Sequence, residues 1–360
     1  MKGRGVTIAA VARRAGVSTA TAGRVLGGYG YSSAEKREKV LAAAAELGYR
    51  PNLLARGLIT GHTRTVGVVA GDIESPFYAT ILRGISDVLE RRGFGMLITN
   101  SDESATRERE AVGLLMEKQV DGLVISPCDT VSAGHLHDAA ARLPVVLIDR
   151  DVPGLAVDGV GVDNVAGARG GVARLLQAGH RRIAMLAELE HSPLGDLDAF
   201  LDAAERGAVT DAGLYPSWQR LLGFLEAHRA AGVPVDPTLV RRVGAYSSTA
   251  AEREARALLG QADRPTALFT ADGTMSNGAM TALRAAGLAV PGALSLVAFD
   301  DLDWMAFVGP GIDAIAQPRR RMGEAAADML HERIAGHDGP PRRLRLATTW
   351  IARGSVAAAP

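Results

Sequence analysis

The chain has 360 residues, enough for two or three packed units, each with its own core. Hydrophobic residues make up 47% and aromatic ones only 4%, so Ala, Val and Leu must supply most of the packing, and a formal net charge of zero argues by itself against a nucleic-acid binder. A single cysteine, Cys128, leaves no partner for an intrachain disulfide, and no stretch approaches the length of a membrane span.

The charge is unevenly spread, which reverses the first impression. Residues 1–60 hold ten Lys/Arg against three acids, or +7, and the remainder holds 30 against 37, or −7. A basic head on an acidic body reserves a small part of the chain for phosphates and a large part for something else. The opening MKGRGVTIAA has no sustained apolar run before Arg13 and reads poorly as a signal peptide, so a cytoplasmic protein is expected. Cys128 lacks metal-ligand or nucleophile partners and reads as a buried small hydrophobe; neither a cofactor nor a metal is expected.

In chain order, Ile8, Val11, Ala12 and Ala15 fall at i, i+3, i+4 and i+7 and predict a short helix with one apolar face. Gly16-Val17 supplies a turn, Ser18 an N-cap, and Thr19 to Leu26 a second helix. Ala22, Val25 and Leu26 point inward, while Ala20 and Arg24 share an outward face. Two short helices about a glycine turn fit a helix-turn-helix, whose second helix enters the DNA major groove, or an ordinary helical hairpin. A third helix opens at Ser32 or Ser33, two registers the sequence leaves open, buries Val40, Ala44 and Leu47, and stops at Gly48. Pro51 breaks the pattern; Asn52 can cap a last segment to Leu58, too short for a stable helix alone, which reads as a hinge or a plain linker.

From Thr65 the texture becomes strand and helix in alternation. Continuous apolar runs at 66–70, 96–99, 122–125, 145–148, 183–186, 267–269 and 296–299 predict strands. Helices are expected near 77–92, 107–118, 166–178, 218–231, 250–259, 275–286 and 322–334. Such alternation means parallel sheets covered on both faces, and this length predicts two α/β lobes with a ligand at the strand ends between them.

The stretches TIAAVARRAGVSTATAGRVLGG, LGYRPNLLARGL, VGVVAGDIESPFYATILRGI, VDGLVIS, GVDNVAGARGG, AGHRRIAML, VAFDDLDW and IAQPRRRMGEAAADML, in this order, resemble a LacI/GalR-type transcriptional regulator over nearly the whole chain. The resemblance implies an α/β protein with a three-helix helix-turn-helix headpiece (1–50), a hinge helix and linker (51–64), and an effector-binding and dimerisation region (65–360). That region would be two doubly wound lobes like periplasmic sugar-binding proteins, lobe 1 at about 65–162 and 299–317, lobe 2 at about 163–298 and 318–360. It implies a homodimer on pseudopalindromic operator DNA, most often a repressor, answering to a sugar or sugar derivative in the cleft, with no membrane role. Lacking terminal leucine heptads, the chain is expected to stop at a dimer.

Carried over by position, Thr19, Ala20 and Arg24 would read base edges, Arg24 foremost because a guanidinium bonds bidentately to guanine. Thr7, Ser18, Thr21 and Asn52 would meet the DNA backbone, with Arg14 also near phosphate, and Leu58 would wedge into the central minor-groove step. The headpiece departs from the family at Gly23 and Gly27, and a mid-helix Gly costs roughly 1 kcal/mol relative to Ala. For the effector the candidates are Phe77, Tyr78, Arg150, Arg220, Tyr246, Asp272 and Trp304. Asp272-Gly273 stands where the family often has Asn-Asp, and the stretch 192–217 is longer than the usual connection, either a lid or a tolerated insertion. An exported sugar-binding protein would share the lobes but not residues 1–60. An enzyme would need more than the strand-end acids Asp149, Asp151, Asp300 and Asp301, which lack a metal-ligand spacing, phosphate loop or nucleophile motif.

Overall fold

Helix α1 (Ile8–Ala15) begins where the sequence places its cap: Thr7 is extended and its hydroxyl accepts the Ala10 N–H at 3.3 Å. Gly16, at φ 65°, ends the helix in the left-handed region that favours glycine. Helix α2 (Thr19–Gly27) starts from Ser18, whose Oγ accepts the Thr21 N–H at 3.1 Å, and runs through Gly23 without a break. Helix α3 (Ala34–Glu46) is capped by Ser33, which accepts the Lys36 N–H, so the chain takes the Ser33 register. Val11, Ala12, Ala22, Val25, Val40, Ala43 and Ala44 close a small core, with Leu26 and Leu47 packed at its rim. Arg14 bonds Glu46 through Nε and Nη2 at 3.1 and 2.8 Å, an exposed ion pair that ties α1 to α3.

The computed structural model describes residues 6–27, 30–49, 62–190 and 195–360. The hinge expected at 51–64 lies outside the described residues, apart from 62–64. The chain divides into two units, residues 1–65 with 119–121 in one and 66–118 with 122–360 in the other.

In the second unit the described residues form two six-stranded sheets. The first contains β1 (Thr65–Ala70), β2 (Gly95–Asn100), β3 (Gly122–Ile125), β4 (Val145–Ile148) and β5 (Asp158–Val162). The second contains β6 (Ile183–Ala187), β7 (Val240–Arg242), β8 (Ala267–Thr270), β9 (Ser295–Phe299) and β10 (Asp313–Ala316). Two late strands, β11 (Arg343–Leu346) and β12 (Thr349–Ile351), complete the first and second sheet respectively, giving the orders β11-β5-β4-β3-β1-β2 and β12-β10-β9-β8-β6-β7. Pairs β1–β3, β3–β4, β4–β5, β5–β11, β6–β7, β6–β8, β8–β9 and β9–β10 are parallel; β12 is antiparallel to β10.

Alternation along the strands of the second sheet sends side chains to two separate cores. Ile183, Met185, Ala187, Phe269, Val297, Phe299 and Ile315 pack with helices α7 (Asn164–Gln177) and α9 (Pro216–Ala230). Ala184, Leu186, Leu268, Leu296, Ala298 and Ala314 pack with α10 (Ser248–Leu259) and α11 (Gly273–Ala285). In the first lobe α4 (Pro76–Arg92) packs on α12 (Arg319–Ile334) over β1, β3, β4 and β5. A methyl group at Gly84 would overlap the Arg320 carbonyl and one at Gly323 the Ile81 carbonyl, so both glycines are needed for the approach of these two helices. Helices α5 (Ala105–Glu117) and α6 (Gly134–Ala140) follow β2 and β3, and Cys128 is buried between them in sequence, its thiol pushed up chiefly by burial. The further helix α8 (Leu197–Glu205) lies in the long stretch before α9; its Phe200 is fully buried with its ring 4.7 Å from that of Trp218.

The expected lobe boundaries need correction. Residues 299–317 belong to the second lobe, because β10 pairs with β9 there. Residues 319–346 belong to the first, because α12 lies on α4 and β11 pairs with β5; the chain then returns to the second lobe as β12. The crossings lie after Val162, at Gln317-Pro318 and at Ala347-Thr348, not at Phe299.

The returning segment is held by Asp158, whose side chain is fully buried at the start of β5. It accepts from Arg333 Nη2 at 2.8 Å and Nε at 3.0 Å, and from the Arg342 N–H at 2.7 Å and Nη2 at 2.8 Å. Burial pushes this carboxyl up, but the hydrogen bonds from Arg333 and Arg342 outweigh it and hold it well below the ordinary range. The stability this site contributes is thus fully present above the unfolded carboxylate range and is lost below it, as pH falls through the lower range in which the native carboxyl takes up its proton. Asp158→Ala leaves two arginines without their shared acceptor, and the loss expected is about 3–5 kcal/mol. Denaturant titration at pH 7 measures it; a loss under about 1 kcal/mol, ordinary for a surface pair, would contradict the assignment.

Candidate functional site

On α2, Thr19, Ala20 and Arg24 are all exposed. Arg24 lies along the helix, its Nε 3.4 Å from the Ala20 carbonyl, and its stem passes Gly30, where φ is 71° and a Cβ would come within 3.2 Å of Arg24 Cδ. The base-reading candidates thus share one solvent-facing edge. Thr7 caps α1 and Ser18 caps α2, where Ser18 Oγ lies 2.9 Å from Thr21 Oγ1. Asn52 and Leu58 lie outside the described residues.

The second candidate site is a cleft of about 680 Å³ at the carboxyl ends of the strands, lined from both lobes. Another hollow, of about 420 Å³, follows the seam of α8 and α9 on the outer side of the second lobe, away from the strand ends. Of the sequence candidates, Phe77, Tyr78, Arg150, Arg220, Tyr246 and Asp272 line the cleft. Trp304 does not. It sits on a single 3-10 turn, Asp303–Ala306, and packs half-buried on the α11 side of the second sheet, because the chain after Leu302 turns back to reach β10.

Arg150 is the hub on the first-lobe side. It is buried, and its Nη1 and Nη2 meet Glu103 Oε2 and Oε1 at 2.5 and 2.9 Å, while Nη1 also donates to the Pro127 carbonyl at 3.1 Å. Tyr78 Oη lies 2.9 Å from Ser126 Oγ and 3.4 Å from Glu103. The Arg150 guanidinium lies 4.3 Å from the ring centre of Tyr215 and 5.9 Å from that of Tyr246. Tyr215 comes from the second lobe, immediately before α9, and its hydroxyl donates to Glu103 at 3.3 Å. Asp211 in the same stretch pairs with Arg345 on β11. The long stretch before α9 is therefore a packed addition to the second lobe whose end enters the cleft.

Across the cleft, Arg220 on α9 donates from Nε to Asn164 Oδ1 at 2.8 Å and from Nη1 to the Ala271 carbonyl at 2.7 Å, and its guanidinium lies 4.0 Å from the Phe299 ring centre. Asp272 caps α11 through the Met275 N–H at 2.9 Å, and burial pushes its carboxyl up to about 6. Asp149 and Asp300 occupy matching places, each just after the third strand of its sheet, at φ 69° and 76°. The Asp149 N–H donates to Val160 and that of Asp300 to Ile315, so the same strand-end turn occurs in both lobes. Left-handed non-glycine residues cost of order 1 kcal/mol or more and gather at binding sites. Asp300 accepts from Gln317 Nε2 at 2.7 Å, whereas Asp149 Oδ1 and Gln317 Oε1 are buried acceptors without a partner.

Sequence reasoning missed Glu103, Tyr215 and Gln317. Glu103 lies in a polar loop without periodicity, and Tyr215 in the stretch read as lid or insertion. Gln317 figures in the sequence reading only as the end of the segment 299–317. Asp149 and Asp300 had been noticed as strand-end acids, and that position was the signal available.

The chain matches three family descriptions: "Bacterial regulatory proteins, lacI family" over 7–52, "Periplasmic binding proteins and sugar binding domain of LacI family" over 63–204, and "Periplasmic binding protein-like domain" over 172–356. It is 34% identical to the HTH-type transcriptional regulator PtxS of Pseudomonas plecoglossicida, over 98% of this chain and 96% of that protein. It is 31% identical to the HTH-type transcriptional repressor CytR of Escherichia coli, over 98% and 97%. Among solved structures it is similar to the transcriptional regulator CelR–cellobiose complex (31% identity, TM-score 0.68, 98% and 100% covered). It is also similar to the lac repressor dimer bound to operator and the anti-inducer ONPF (26%, TM-score 0.81, 99% and 100%).

Asp272 supplies a test of the cleft's burial. Its native carboxyl titrates near 6, above the ordinary 3.8, so the native state holds this proton more tightly than the unfolded chain. Stability therefore falls as pH rises from about 4 to 6 and stays lower above that range. Asn keeps an oxygen to accept the Met275 N–H but carries no charge. Asp272→Asn is expected to melt above the parent protein at pH 7.5, with the gap closing as pH falls toward 4; a gap independent of pH would rule out this cause.

Proposed function

The chain belongs to the LacI family of transcriptional regulators, and from that premise we propose that it represses transcription as a homodimer on a pseudopalindromic operator, released or tightened by a sugar-like effector in the interlobe cleft. Its family regulates genes and does not catalyse reactions, so the strand-end acids serve recognition. No helix among the described residues is long and apolar enough to cross a membrane, and a regulator of operator DNA works in the cytoplasm. The observation that carries the DNA reading is the single exposed edge of α2 bearing Thr19, Ala20 and Arg24. An unpaired headpiece offers one such edge; a twofold dimer offers two, matching two half-sites.

The effector reading rests on a cleft that takes residues from both lobes and leaves acceptors unfilled. A ligand that binds one arrangement of the lobes better than another shifts the balance between them by its differential affinity and no more. That shift reaches DNA through the segment at 51–64, with Asn52 toward the backbone and Leu58 toward the central step.

Arg24→Ala is expected to cost about 1–3 kcal/mol per half-site and to relax preference at one base pair. Selection from a randomised operator library measures it, and an unchanged base preference would sink the assignment. Arg220→Ala and Leu58→Ala separate the two ends of the mechanism. Arg220→Ala should lose effector binding and keep operator binding, whereas Leu58→Ala should bind effector and fall toward non-specific affinity for DNA. Calorimetry and operator titration on both folded dimers decide this; loss of operator binding by Arg220→Ala, or intact specificity in Leu58→Ala, would overturn it.

A further inference from the structure

The lining of the cleft is strongly one-sided in charge. Among the described residues that face it are eight carboxylates and two arginines. Arg150 is paired with Glu103 through both terminal nitrogens, its buried Nε keeping no hydrogen-bond partner, and Asp102 is paired with Arg107 outside the cleft. Six carboxylates remain, those of Asp72, Glu74, Asp149, Glu190, Asp272 and Asp300, facing the one guanidinium of Arg220. That guanidinium has already committed two nitrogens to Asn164 and the Ala271 carbonyl.

A concentration of acids is not by itself a site, but here two buried groups are left waiting. The Asp149 side chain is only 7% exposed and its Oδ1 has no partner; Gln317 is 6% exposed and its Oε1 has none. The Gln317 Oε1 accepts, its amide nitrogen donating to Asp300, and the ionised Asp149 carboxylate accepts likewise, although burial favours its protonated form when no cation is near. Asp149 Oδ2 stands 3.7 Å from Arg150 Nε, a distant pairing for a guanidinium already held by Glu103. A buried acceptor without a donor costs about 1–3 kcal/mol, more when charged, and a ligand that supplies donors recovers it. A ligand carboxylate or phosphate would instead leave these atoms unfilled and add like-charge repulsion.

We propose that the effector is a hydroxylated organic cation, an amino sugar or similar polyhydroxy amine, whose ammonium sits between Asp149 and Asp300 while its hydroxyls donate to the remaining acceptors. The two aspartates approach from matching strand ends of the two lobes, so a cation between them attracts both lobes at once. Tyr246, 37% exposed, and Phe77 add ring surface to the lining for the apolar side of the ligand. This deepens the effector reading above and depends on it.

The test is a matched panel on the full-length protein at pH 7.5 and low salt. Aldopentoses and aldohexoses are each compared with the amino-deoxy and the uronate counterpart, first by thermal shift and then by calorimetry. The amino compound is expected to bind at least tenfold tighter than its parent sugar and the uronate not at all. In Asp149→Asn/Asp300→Asn the ratio of amine to parent sugar should fall toward one. Parent sugars or uronates binding as well as the amines would overturn the charge assignment and leave the effector cleft standing. An amine whose affinity is unchanged by Arg220→Ala and by the double variant binds elsewhere, which would overturn the cleft reading itself. No binding anywhere in the panel would overturn both.

Discussion

A guanidinium cannot shed its proton, so once Arg150 is buried at the end of β4 everything near it must answer that charge. Glu103 answers with both oxygens, the Pro127 carbonyl with a third bond, and Tyr215 with its ring face and its hydroxyl on the same glutamate. The acid, the carbonyl and the tyrosine come from three separate connections, one of them in the other lobe. Removing either charged partner would strand the other in low dielectric, at a cost of several kcal/mol. The floor of the cleft is built on this pair, and so is one of the links between the lobes. Glu103 offsets the charge of Arg150 and holds its two terminal nitrogens, and the buried Nε is left without a hydrogen-bond partner. The electrostatic character of the cleft follows from that one neutralisation.

The two lobes are alike because they solve the same packing problem. Each is a mostly parallel sheet whose central strands are buried on both sides, and in each the strand third in the sheet order is followed by a left-handed aspartate that lines the cleft. The lobes cannot separate freely, since the chain crosses between them after Val162, at Gln317-Pro318 and at Ala347-Thr348. Asp158 and Asp313 finish the job on either side. Asp158 gathers Arg333 and Arg342 onto the first lobe, and Asp313 takes the N–H of Arg353 and of Ser355 onto the second. These crossings are short and lie beside the cleft.

In the headpiece, the polar side chains that look available for DNA are partly spent on the fold. Thr7, Ser18 and Ser33 cap helices, and Arg14 clasps Glu46. A core of small residues is marginal at this size, so caps worth about 1 kcal/mol each matter to it. Arg24 is different: among the described residues its Nε makes one long bond, to the Ala20 carbonyl on its own helix. That leaves its terminal nitrogens at an exposed helix face, where a base edge can meet them.

Much of this protein was legible before any coordinates. Periodicity located α1 to α3, the inner strands and the long helices within a few residues, because continuous apolar runs and 3.6-residue spacing are local properties. The charge split between residues 1–60 and the rest marked the basic head, and ordered motifs identified the family. What escaped was whatever depends on a partner distant in sequence. Strands β5 (DGVGV) and β11 (RLRL) carry weak or alternating patterns and are strands because they pair with each other, 175 or more residues apart by the links through Asp158. The assignment of 299–317 and 319–346 to lobes failed for the same reason: a segment's lobe is decided by which sheet it joins. Six of the seven effector candidates line the cleft, while Trp304 packs on a core, Glu103 joins the lining from a loop and Tyr215 backs Glu103 and Arg150. Residue type and spacing determine which elements form; only the folded chain decides which charges meet, because a buried charge chooses its partner across space and not along the sequence.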